Sequence, residues 1–497
     1  MMRAATTTTV PTRRVRVAIV GAGFSGIAMA LALERAGHLD DAVIIDAADE
    51  FGGTWRDNTY PGAACDVPSH LYSLRDEEYD WPQFYSGQGA IQDYILDVVA
   101  RHDLRRHARL GTGVSRQEWD DATATWTLTL EDGEEIEAEV VVNGLGPLRR
   151  QVLPSIPGRE RFEGPAFHSS EWDPDVDVTG KRVGIIGTGA SAIQIVPAVA
   201  DQVAHLTVFQ RTPSWVLPRV ERTFSPAERW LLRTVPGAQR AVRTTVNLIV
   251  EHVVYRILAL DERAQRRAIA LGTKNIERSI RDPELRRAVT PSLTPGCKRI
   301  MFSNSYYAAL DQPHVDLDTT GIAEITPTGV VLGDGTAIDL DVLVYSTGFD
   351  PHHFWYPMDI VGQGGVKLQD HWAEAGTAYM GTTTPRFPNL FFLLGPNTGT
   401  GHNSVVLMAE AQADYVMGAL EYLRSGAAAW LAPTDAATEA YAEEMARRHE
   451  DLVWASGCGS WYLNESGVND TIYPGPVRDF QRRLARFDVE AYDTGVR

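Results

Sequence analysis

The apolar residues near the start of the chain lie in short continuous runs. Val15–Val20 is one such run, and it leads into a glycine-rich turn at residues 21–26. An Ala- and Leu-rich stretch follows to about Gly37, and Ala42–Asp46 is the next apolar run. Strands that are buried on both faces of a parallel sheet have continuous apolar runs of this kind. The pattern predicts a strand, a tight turn, a helix and a second strand.

The same order of elements recurs in the middle of the chain. Arg182–Ile186 leads into a second glycine-rich turn at residues 187–192, a helical stretch runs to about Ala200, and Leu206–Gln210 is the following apolar run. A strand, a glycine turn, a helix and a strand are the parts of a dinucleotide-binding unit. The sequence therefore predicts an α/β fold with two Rossmann-like dinucleotide-binding domains.

The remaining patterns complete the two domains. Trp119–Thr129 alternates apolar and polar residues, which is typical of an antiparallel strand, whereas Glu139–Asn143, Asp341–Tyr345 and Leu390–Leu394 are predicted as further buried strands. Residues 224–290 are rich in charge and helical in pattern. We interpret this segment as an inserted helical region.

Composition narrows the class of protein. At 497 residues the chain is too long for one hydrophobic core. Its formal net charge of −19 argues against a nucleic-acid partner, because phosphate binding needs a basic surface. The N-terminal segment has no apolar stretch of a secretory signal, and Val246–Leu260 is interrupted by charges such as Glu251 and Arg256. We expect a cytoplasmic protein without an integral membrane segment.

The three cysteines, Cys65, Cys297 and Cys458, are far apart in the sequence. They form no C-x-x-C pair and no metal-ligand spacing, so the sequence predicts no metal site and three free thiols in a reducing compartment. A flavin disulfide reductase needs a redox-active cysteine pair, and this class is therefore excluded.

Each glycine turn has three small residues with separate tasks. The first permits the tight bend, the second lets a pyrophosphate approach the backbone, and the third lets the helix pack closely on the strand. In this chain they are, in that order, Gly21, Gly23 and Gly26 in the first unit and Gly187, Gly189 and Ala192 in the second.

The residue that ends each second strand indicates which nucleotide is bound. Asp46 can accept hydrogen bonds from an unphosphorylated ribose, which favours FAD in the first unit. The second unit has Gln210 and Arg211 at this place, and a guanidinium can hold a 2′-phosphate. This favours NADPH there, although an arginine after a strand is also common as a solvated surface residue.

The two nucleotide sites divide the chain into five segments. The predicted segments are 1–152 for the first part of the FAD-binding domain, 153–221 for the first part of the NADP-binding domain, 222–294 for the helical insertion, 295–345 for the second part of the NADP-binding domain and 346–497 for the second part of the FAD-binding domain.

Two longer motifs carry a resemblance to a known family. Between the nucleotide units lie Phe162, Gly164, His168 and Trp172 in the spacing FxGxxxHxxxW. A second motif runs from Gly52 through Trp55, Tyr60, Pro61 and Gly62 to Asp66. Both match the patterns of the type I Baeyer–Villiger monooxygenases, class B flavoprotein monooxygenases, and the resemblance covers nearly the whole chain.

The resemblance implies an activity and its catalytic residues. Such enzymes use FAD, NADPH and O2 to convert a ketone to an ester or lactone through a C4a-peroxyflavin. The family's catalytic arginine and its supporting aspartate fall on Arg299 and Asp66. A guanidinium about 4 Å from an anion stabilises it by on the order of 4 kcal/mol at an effective dielectric near 20. The alternatives without a catalytic role are a surface salt bridge for Arg299 and a turn or helix-capping role for Asp66.

The resemblance also implies the residues that hold the cofactors. Lys298 and Arg211 fall where the family binds the 2′-phosphate of NADPH, and Trp55 falls near the flavin. Trp461 resembles a C-terminal tryptophan that closes over NADP, although a packing aromatic is an equal alternative. His168 is interpreted as a residue of the fingerprint that controls conformation, with a general acid as the alternative.

Two other activities share the glycine turns. One is an N- or S-oxygenating flavin monooxygenase, against which the tryptophan and aspartate of the Gly52–Asp66 motif argue. The other is an NADPH oxidase or a redox-responsive flavoprotein. The identity of the ketone is beyond sequence reasoning, because selectivity at the scale of one methylene group is worth only about 1–3 kcal/mol.

Overall fold

The computed structural model describes residues 13–496. The N-terminal segment, for which the sequence predicts no secretory signal, lies outside these residues. The strands, in chain order, are β1 Arg13–Val20, β2 Ala42–Asp46, β3 Ala108–Leu110, β4 Val114–Asp120, β5 Thr125–Leu130, β6 Glu135–Asn143, β7 Ala166–His168, β8 Arg182–Ile186, β9 His205–Phe209, β10 Val216–Leu217, β11 Met301–Phe302, β12 Val315–Asp318, β13 Ile322–Thr326, β14 Gly329–Leu332, β15 Ala337–Asp339, β16 Val342–Tyr345, β17 Asp359–Val361, β18 Leu390–Phe392, β19 Trp430–Pro433 and β20 Tyr492–Gly495.

The α-helices lie between these strands in the chain, and α5–α9 follow one another without a strand between them. They are α1 Phe24–Arg35, α2 Thr54–Asp57, α3 Gln88–Arg101, α4 Ala192–Val199, α5 Pro226–Thr234, α6 Ala238–Val253, α7 Tyr255–Leu258, α8 Glu262–Ser279, α9 Pro283–Val289, α10 Tyr306–Leu310, α11 Leu368–His371, α12 Val405–Arg424, α13 Asp435–His449 and α14 Val477–Arg483. No helix within residues 13–496 combines the length and the apolar character needed to cross a membrane.

The first sheet contains the first glycine turn. Its strand order is β17-β4-β5-β6-β1-β2-β3, and β18 pairs with the C-terminal half of β6. The pairs β1–β2 and β1–β6 are parallel, whereas β4, β5 and β6 are antiparallel. The alternating segment Trp119–Thr129 is thus two strands with a turn between them. Helices α1 and α12 pack on this sheet and on each other, and their apolar faces form the largest core.

The second sheet contains the second glycine turn. Its five strands are all parallel, in the order β12-β9-β8-β16-β7. Buried residues of β8, β9 and β16 pack with α4 and α10 in a separate core. Strand β7 and the histidine that ends it come from the FxGxxxHxxxW segment, so this motif forms the edge of the second sheet.

The inserted helices α5–α9 bridge the two domains. On α6, Val246 is buried in the core of the first domain, and Arg243 pairs with Glu410 of α12 at 2.8 Å. On α8, Gly272 packs against Trp215, where an added Cβ would lie 2.5 Å from the indole ring. The insertion therefore has one face against each domain.

Two chain segments connect the sheets and run side by side. Residues 149–152 lead from the first sheet to the second, and residues 347–350 lead back. Gln151 and Phe349 form an antiparallel bridge, and Arg150 and Asp350 form a salt bridge at 3.0 Å. We call these two segments the paired connections.

The cysteine prediction is wrong for two of the three residues. Cys297 and Cys458 form a disulfide with Cα atoms 6.0 Å apart, while Cys65 is free and buried. The pair is separated by 161 residues, so that no local spacing in the sequence indicates it.

Candidate active site

One cavity of about 1620 Å³ is lined by residues of both glycine turns. The predicted site residues on its wall are Gly21, Gly23, Asp46, Trp55, Asp66, Gly187, Gly189, Arg211, Lys298, Arg299 and Trp461. Gly26, Ala192 and the four fingerprint residues do not line it. The fold thus brings together side chains from the first, middle and last parts of the chain.

The first turn needs glycine for steric reasons. Gly21 has φ +111°, and a Cβ there would lie 2.5 Å from the carbonyl oxygen of Gly144. A Cβ on Gly26 would lie 1.8 Å from the carbonyl oxygen of Gly21. Helix α1 can therefore approach the turn closely, which directs its N-terminus towards the cavity. At the end of β2, the Asp46 carboxylate accepts hydrogen bonds from the backbone N–H groups of Ala22 and Ala48 at 2.7 and 2.9 Å.

The second turn repeats this geometry. Gly187 has φ +113°, and a Cβ there would lie 2.3 Å from the carbonyl oxygen of Ser346. Gly189 faces open space, since nothing lies within 4 Å of its Cβ position. Ala192 is fully buried at the start of α4. The turn therefore leaves a bare stretch of backbone facing the cavity.

Two cations lie beside this second turn. Arg211 lies two residues after the end of β9, and Lys298 donates a hydrogen bond from Nζ to the carbonyl oxygen of Thr212 at 3.2 Å. Burial lowers the pKa of Lys298, and the charge of Arg211 lowers it further. Within residues 13–496 neither side chain forms a salt bridge with a carboxylate. An anion with several oxygen atoms between them would relieve the repulsion.

Asp66 and Arg299 form a bidentate (two-pronged) salt bridge on the cavity wall. Arg299 donates from Nε and Nη2 to the two carboxylate oxygens of Asp66, each at 2.7 Å. This use of the guanidinium leaves Nη1 free of Asp66. The two residues are 233 positions apart in the sequence.

The pair is charged across the physiological pH range. Asp66 raises the pKa of Arg299 above its already high ordinary value. Burial raises the pKa of the Asp66 carboxyl, but the charge and hydrogen bonds of Arg299 outweigh this effect and leave that pKa below its ordinary value. The Tyr462 hydroxyl also interacts with Arg299, and burial raises the pKa of this phenol.

The Gly52–Asp66 motif crosses from one dinucleotide unit to the other. The Tyr60 hydroxyl donates to the side-chain oxygen of Gln194 on α4 at 3.0 Å, and Gln194 donates to the carbonyl oxygen of Ala64 at 2.9 Å. A Cβ on Gly62 would lie 2.6 Å from the backbone oxygen of Gln194. The end of the motif is thus fixed against the second domain, which places Asp66 where Arg299 arrives.

Trp55 is buried in the cavity wall on the short helix α2. Its indole Nε1 donates to the hydroxyl of Tyr72 at 3.0 Å, and the two rings pack edge to face. Trp55 is therefore both a packing residue and a part of the cavity surface.

The C-terminal loop, which we define as Gly457–Tyr462, covers one end of the cavity. Trp461 is 42% exposed and stacks beside Tyr462, with ring centroids 4.7 Å apart. The carbonyl oxygen of Trp461 accepts a hydrogen bond from His352 Nε2 at 3.1 Å, and the other ring nitrogen of His352 contacts Asp470 at 2.5 Å. Burial lowers the pKa of His352, but Asp470 outweighs it and leaves that pKa raised.

The fingerprint residues stand behind the cavity rather than on its wall. His168 is buried, accepts a hydrogen bond from the backbone N–H of Ser170 at Nδ1, and donates from Nε2 to the carbonyl oxygen of Gly348 at 3.0 Å. Burial lowers its pKa. Trp172 packs edge to face on Phe167, and this pair belongs to the second core.

Phe162 and Gly164 fix the start of the same segment. A Cβ on Gly164 would lie 2.5 Å from the carbonyl oxygen of Asp341 and 2.9 Å from the Phe162 ring. The close approach holds the segment against the second sheet. The fingerprint thus joins the edge strand β7 to the returning connection.

Sequence reasoning missed three residues of this site. Tyr462 directly follows Trp461 in the sequence, and its place beside a predicted cofactor-binding residue is the signal that could have identified it. His352 and Asp470 are 118 residues apart and lie in no motif, so that only the fold reveals their contact.

Comparisons with known proteins agree with this architecture. The sequence profile of the flavin-binding monooxygenase-like family matches residues 14–253. A Baeyer–Villiger monooxygenase of Streptomyces coelicolor is 40% identical over 483 residues, which cover 96% of this chain and 92% of that protein. A Baeyer–Villiger monooxygenase of Pseudomonas aeruginosa is 41% identical over 489 residues, which cover 97% and 91%.

Solved structures with the same architecture include those of cyclohexanone monooxygenases. A closed crystal structure has a TM-score of 0.88 at 28% identity and covers 98% of this chain and 100% of that chain. The enzyme from Rhodococcus sp. Phi1, bound to NADP+, has a TM-score of 0.88 at 29% identity, with the same coverage. The predicted α/β fold with Rossmann-like domains is confirmed.

The chain belongs to the flavin-binding monooxygenase-like family and, within it, to the Baeyer–Villiger monooxygenases. It is an enzyme, a flavin-dependent monooxygenase, as the motifs predict.

Proposed function

We propose that this enzyme uses FAD, NADPH and O2 to convert a ketone to an ester or lactone, with Arg299 as catalytic residue and Asp66 as its positioning partner. The observation that carries the proposal is the two-pronged Arg299–Asp66 salt bridge, which lies on the wall of a cavity shared by both glycine turns.

FAD fits the first glycine turn. Gly21, Gly23 and the N-terminus of α1 offer backbone N–H groups to a pyrophosphate, and Asp46 stands at the end of β2 to accept from ribose hydroxyls. Trp55 is placed on the same wall of the cavity for contact with the ring system.

NADPH fits the second turn. Gly187 and Gly189 leave bare backbone for the pyrophosphate, and Lys298 and Arg211 supply two cations without a carboxylate partner among the described residues. A 2′-phosphate is an anion of matching chemistry, which NADH lacks.

When bound, FAD reduced by NADPH would supply one oxygen atom of O2 as a nucleophile to the ketone. Arg299 provides a permanent positive charge for the negative charge that develops on oxygen during this transfer. Its planar fork is held in one orientation by Asp66, so little motion is needed when the charge appears. Asp66 remains ionised and is not a proton donor.

The remaining site residues control access. Trp461 and the C-terminal loop cover the cavity and exclude water, which would otherwise screen the charge of Arg299. Phe162, Gly164, His168 and Trp172 act on the position of the second domain. The domain boundaries at 152, 221, 294 and 345 remain predictions, and so does a cytoplasmic location.

The test is an assay of the purified, FAD-loaded enzyme with NADPH and a panel of linear, cyclic and aryl ketones. We expect ester or lactone formation matched to NADPH consumption. Products limited to sulfoxides or N-oxides would overturn the proposal in favour of a heteroatom oxygenase. Release of one hydrogen peroxide per NADPH with every ketone would overturn it in favour of an oxidase.

A further inference from the structure

The disulfide joins the two segments that meet at the catalytic arginine. Cys297 immediately precedes Lys298 and Arg299, and Cys458 lies in the C-terminal loop that carries Trp461 and Tyr462. Lys298, Arg299, Gly459 and Trp461 all line the cavity. A covalent bond between the two cysteines therefore ties two walls of the same cavity together.

The end of the loop is held by hydrogen bonds, because the carbonyl oxygens of Trp461 and Tyr462 accept from His352 Nε2 at 3.1 Å and from the Thr471 hydroxyl at 3.3 Å. Within its small apolar cluster, Cys297 and Cys458 pack with Val453, Trp454 and Tyr462. Cys458 stands between two glycines: Gly457 has φ +76°, and added Cβ atoms on Gly457 and Gly459 would meet nothing within 4 Å. Glycine gives the backbone around Cys458 conformational freedom, so the state of the cysteine pair decides how firmly this part of the loop is held.

We infer that Cys297 and Cys458 form a redox-modification site, at which a peroxide converts two thiols into the disulfide and thereby holds the C-terminal loop against the Arg299 segment. The inference rests on the proposed function, because it takes this loop as the cover of the cofactor cavity. The reduced pair allows the loop to open, and the oxidised pair slows cofactor exchange and turnover.

The oxidant is hydrogen peroxide, the product expected when electrons from NADPH reduce O2 without transfer of oxygen to a ketone. Cys458 is 7% exposed and Cys297 is fully buried, so Cys458 is the sulfur that peroxide reaches. Its thiol is oxidised to a sulfenic acid with release of one water, as the O–O bond breaks. The Cys297 thiol then attacks this sulfur, the S–S bond forms, and a second water leaves. Two thiols are oxidised and one peroxide is reduced.

The test compares the reduced holoenzyme with the same enzyme after oxidation by hydrogen peroxide and removal of the excess. Thiol titration of the denatured protein should fall from three groups to one, since the chain has three cysteines, and peptide mapping should find Cys297 linked to Cys458. Because opening of a lid often limits release, we expect NADP+ dissociation and kcat to fall by about tenfold, with the ketone KM unchanged. Reduction should restore both rates.

Cys297→Ser and Cys458→Ser are the matched variants. Each retains Cys65, so any effect of peroxide through Cys65 or the flavin persists in both. We expect both variants to resist the slowing by peroxide. The inference is overturned if three thiols remain after oxidation, if both states of the wild type release NADP+ equally fast, or if the variants are slowed as much as the wild type. Thiol counts and NADP+ release need no ketone turnover, so they separate this inference from a failure of the proposed function.

Discussion

Arg299 acts through both its charge and its shape. Arg299→Lys keeps the charge but loses the planar fork that donates twice to Asp66. We expect ester formation to fall by about 100-fold, as for the loss of other fixed donors that stabilise developing negative charge. NADPH consumption should continue, with hydrogen peroxide as the product.

The matched control is Arg281→Lys, at an arginine that pairs with Asp311 at 2.6 Å but is highly exposed and outside the cavity lining. Its ester yield should remain that of the wild type. An Arg299→Lys enzyme with an unchanged ratio of ester to NADPH would contradict the role of the fork.

Asp66 should set the orientation of Arg299 without titrating near neutral pH. Its pKa is lowered, so the salt bridge is complete above the ordinary aspartate pKa and is lost only as the pH falls through the lowered value. Asp66→Asn should therefore lower kcat by a similar factor at every pH between about 6 and 9. A pH–rate profile that changes shape in this variant would show that Asp66 itself titrates during turnover.

Lys298 and Arg211 should distinguish NADPH from NADH. Removing one charge-assisted phosphate contact costs about 1.5–3 kcal/mol, so Arg211→Ala or Lys298→Met should raise the KM for NADPH by about tenfold or more. The kcat/KM for NADH should not fall, because NADH lacks the phosphate. Equal losses with both nucleotides would assign the two residues to general stability instead.

At the scale of single elements, the hydrogen bond from His352 to the carbonyl oxygen of Trp461 should make the attachment of the C-terminal loop depend on pH. Its pKa is raised by Asp470, with a smaller contribution from Asp350, so the charged pair is complete below the ordinary histidine pKa and is lost as the pH rises through the raised value. Cleavage of the loop by chymotrypsin at Trp461 should accelerate over that range.

Asp470→Asn is the test of this contact. This variant should move the pH at which protection from chymotrypsin is half lost to a lower value, since the carboxylate that raises the pKa of His352 is removed. A midpoint that is the same in both proteins would mean that another group holds the loop.

The elements that sequence reasoning found are those with local patterns. Strands β2 and β8 have the predicted ends, because an apolar run stops at a turn residue in each case. The sequence predicts a single strand over Trp119–Thr129, whereas the structure has the hairpin of β4 and β5 there. Trp119 and Trp126 share one alternating pattern across the turn and face each other in the fold. Periodicity reports which face is buried but does not report where a strand reverses.

At the scale of the whole molecule, Glu251 fastens the helical insertion to the first domain. Its Oε1 accepts hydrogen bonds from His402 Nε2 and Asn403 Nδ2 at 3.0 and 2.7 Å, and from the backbone N–H of Val477 at 3.0 Å. Burial raises the pKa of Glu251, but these donors outweigh it and leave the pKa lowered. Glu251→Ala leaves three buried donors unpaired and should lower the free energy of unfolding by about 3 kcal/mol, measured by urea denaturation.

Glu251→Gln keeps an oxygen acceptor and serves as the control, with a smaller loss expected. Equal stability of the alanine variant and the wild type would show that the insertion is held mainly by the apolar face of α6.

Long-range pairs mark the limit of what the sequence predicts. The resemblance assigns Asp66 and Arg299 to one site although they are far apart in the chain, because Asp66 ends the Gly52–Asp66 motif and Arg299 falls on the family's catalytic arginine. The disulfide had no motif to indicate it, and the free-thiol prediction failed there. Contacts between residues 161 or 233 positions apart depend on how the two domains pack against each other, and the amino-acid pattern of either segment carries no information about that packing.

The paired connections give the molecule an axis. Two covalent crossings that lie side by side and are bonded to each other resist sliding and separation of the sheets, and rotation about their common line is the motion that they oppose least. Rotation on this line would change the gap between the two glycine turns, and it would require the inserted helices, which are packed into both cores, to shift as well. The bridge between Gln151 and Phe349 thus defines the line about which any change in the width of the active site would have to occur.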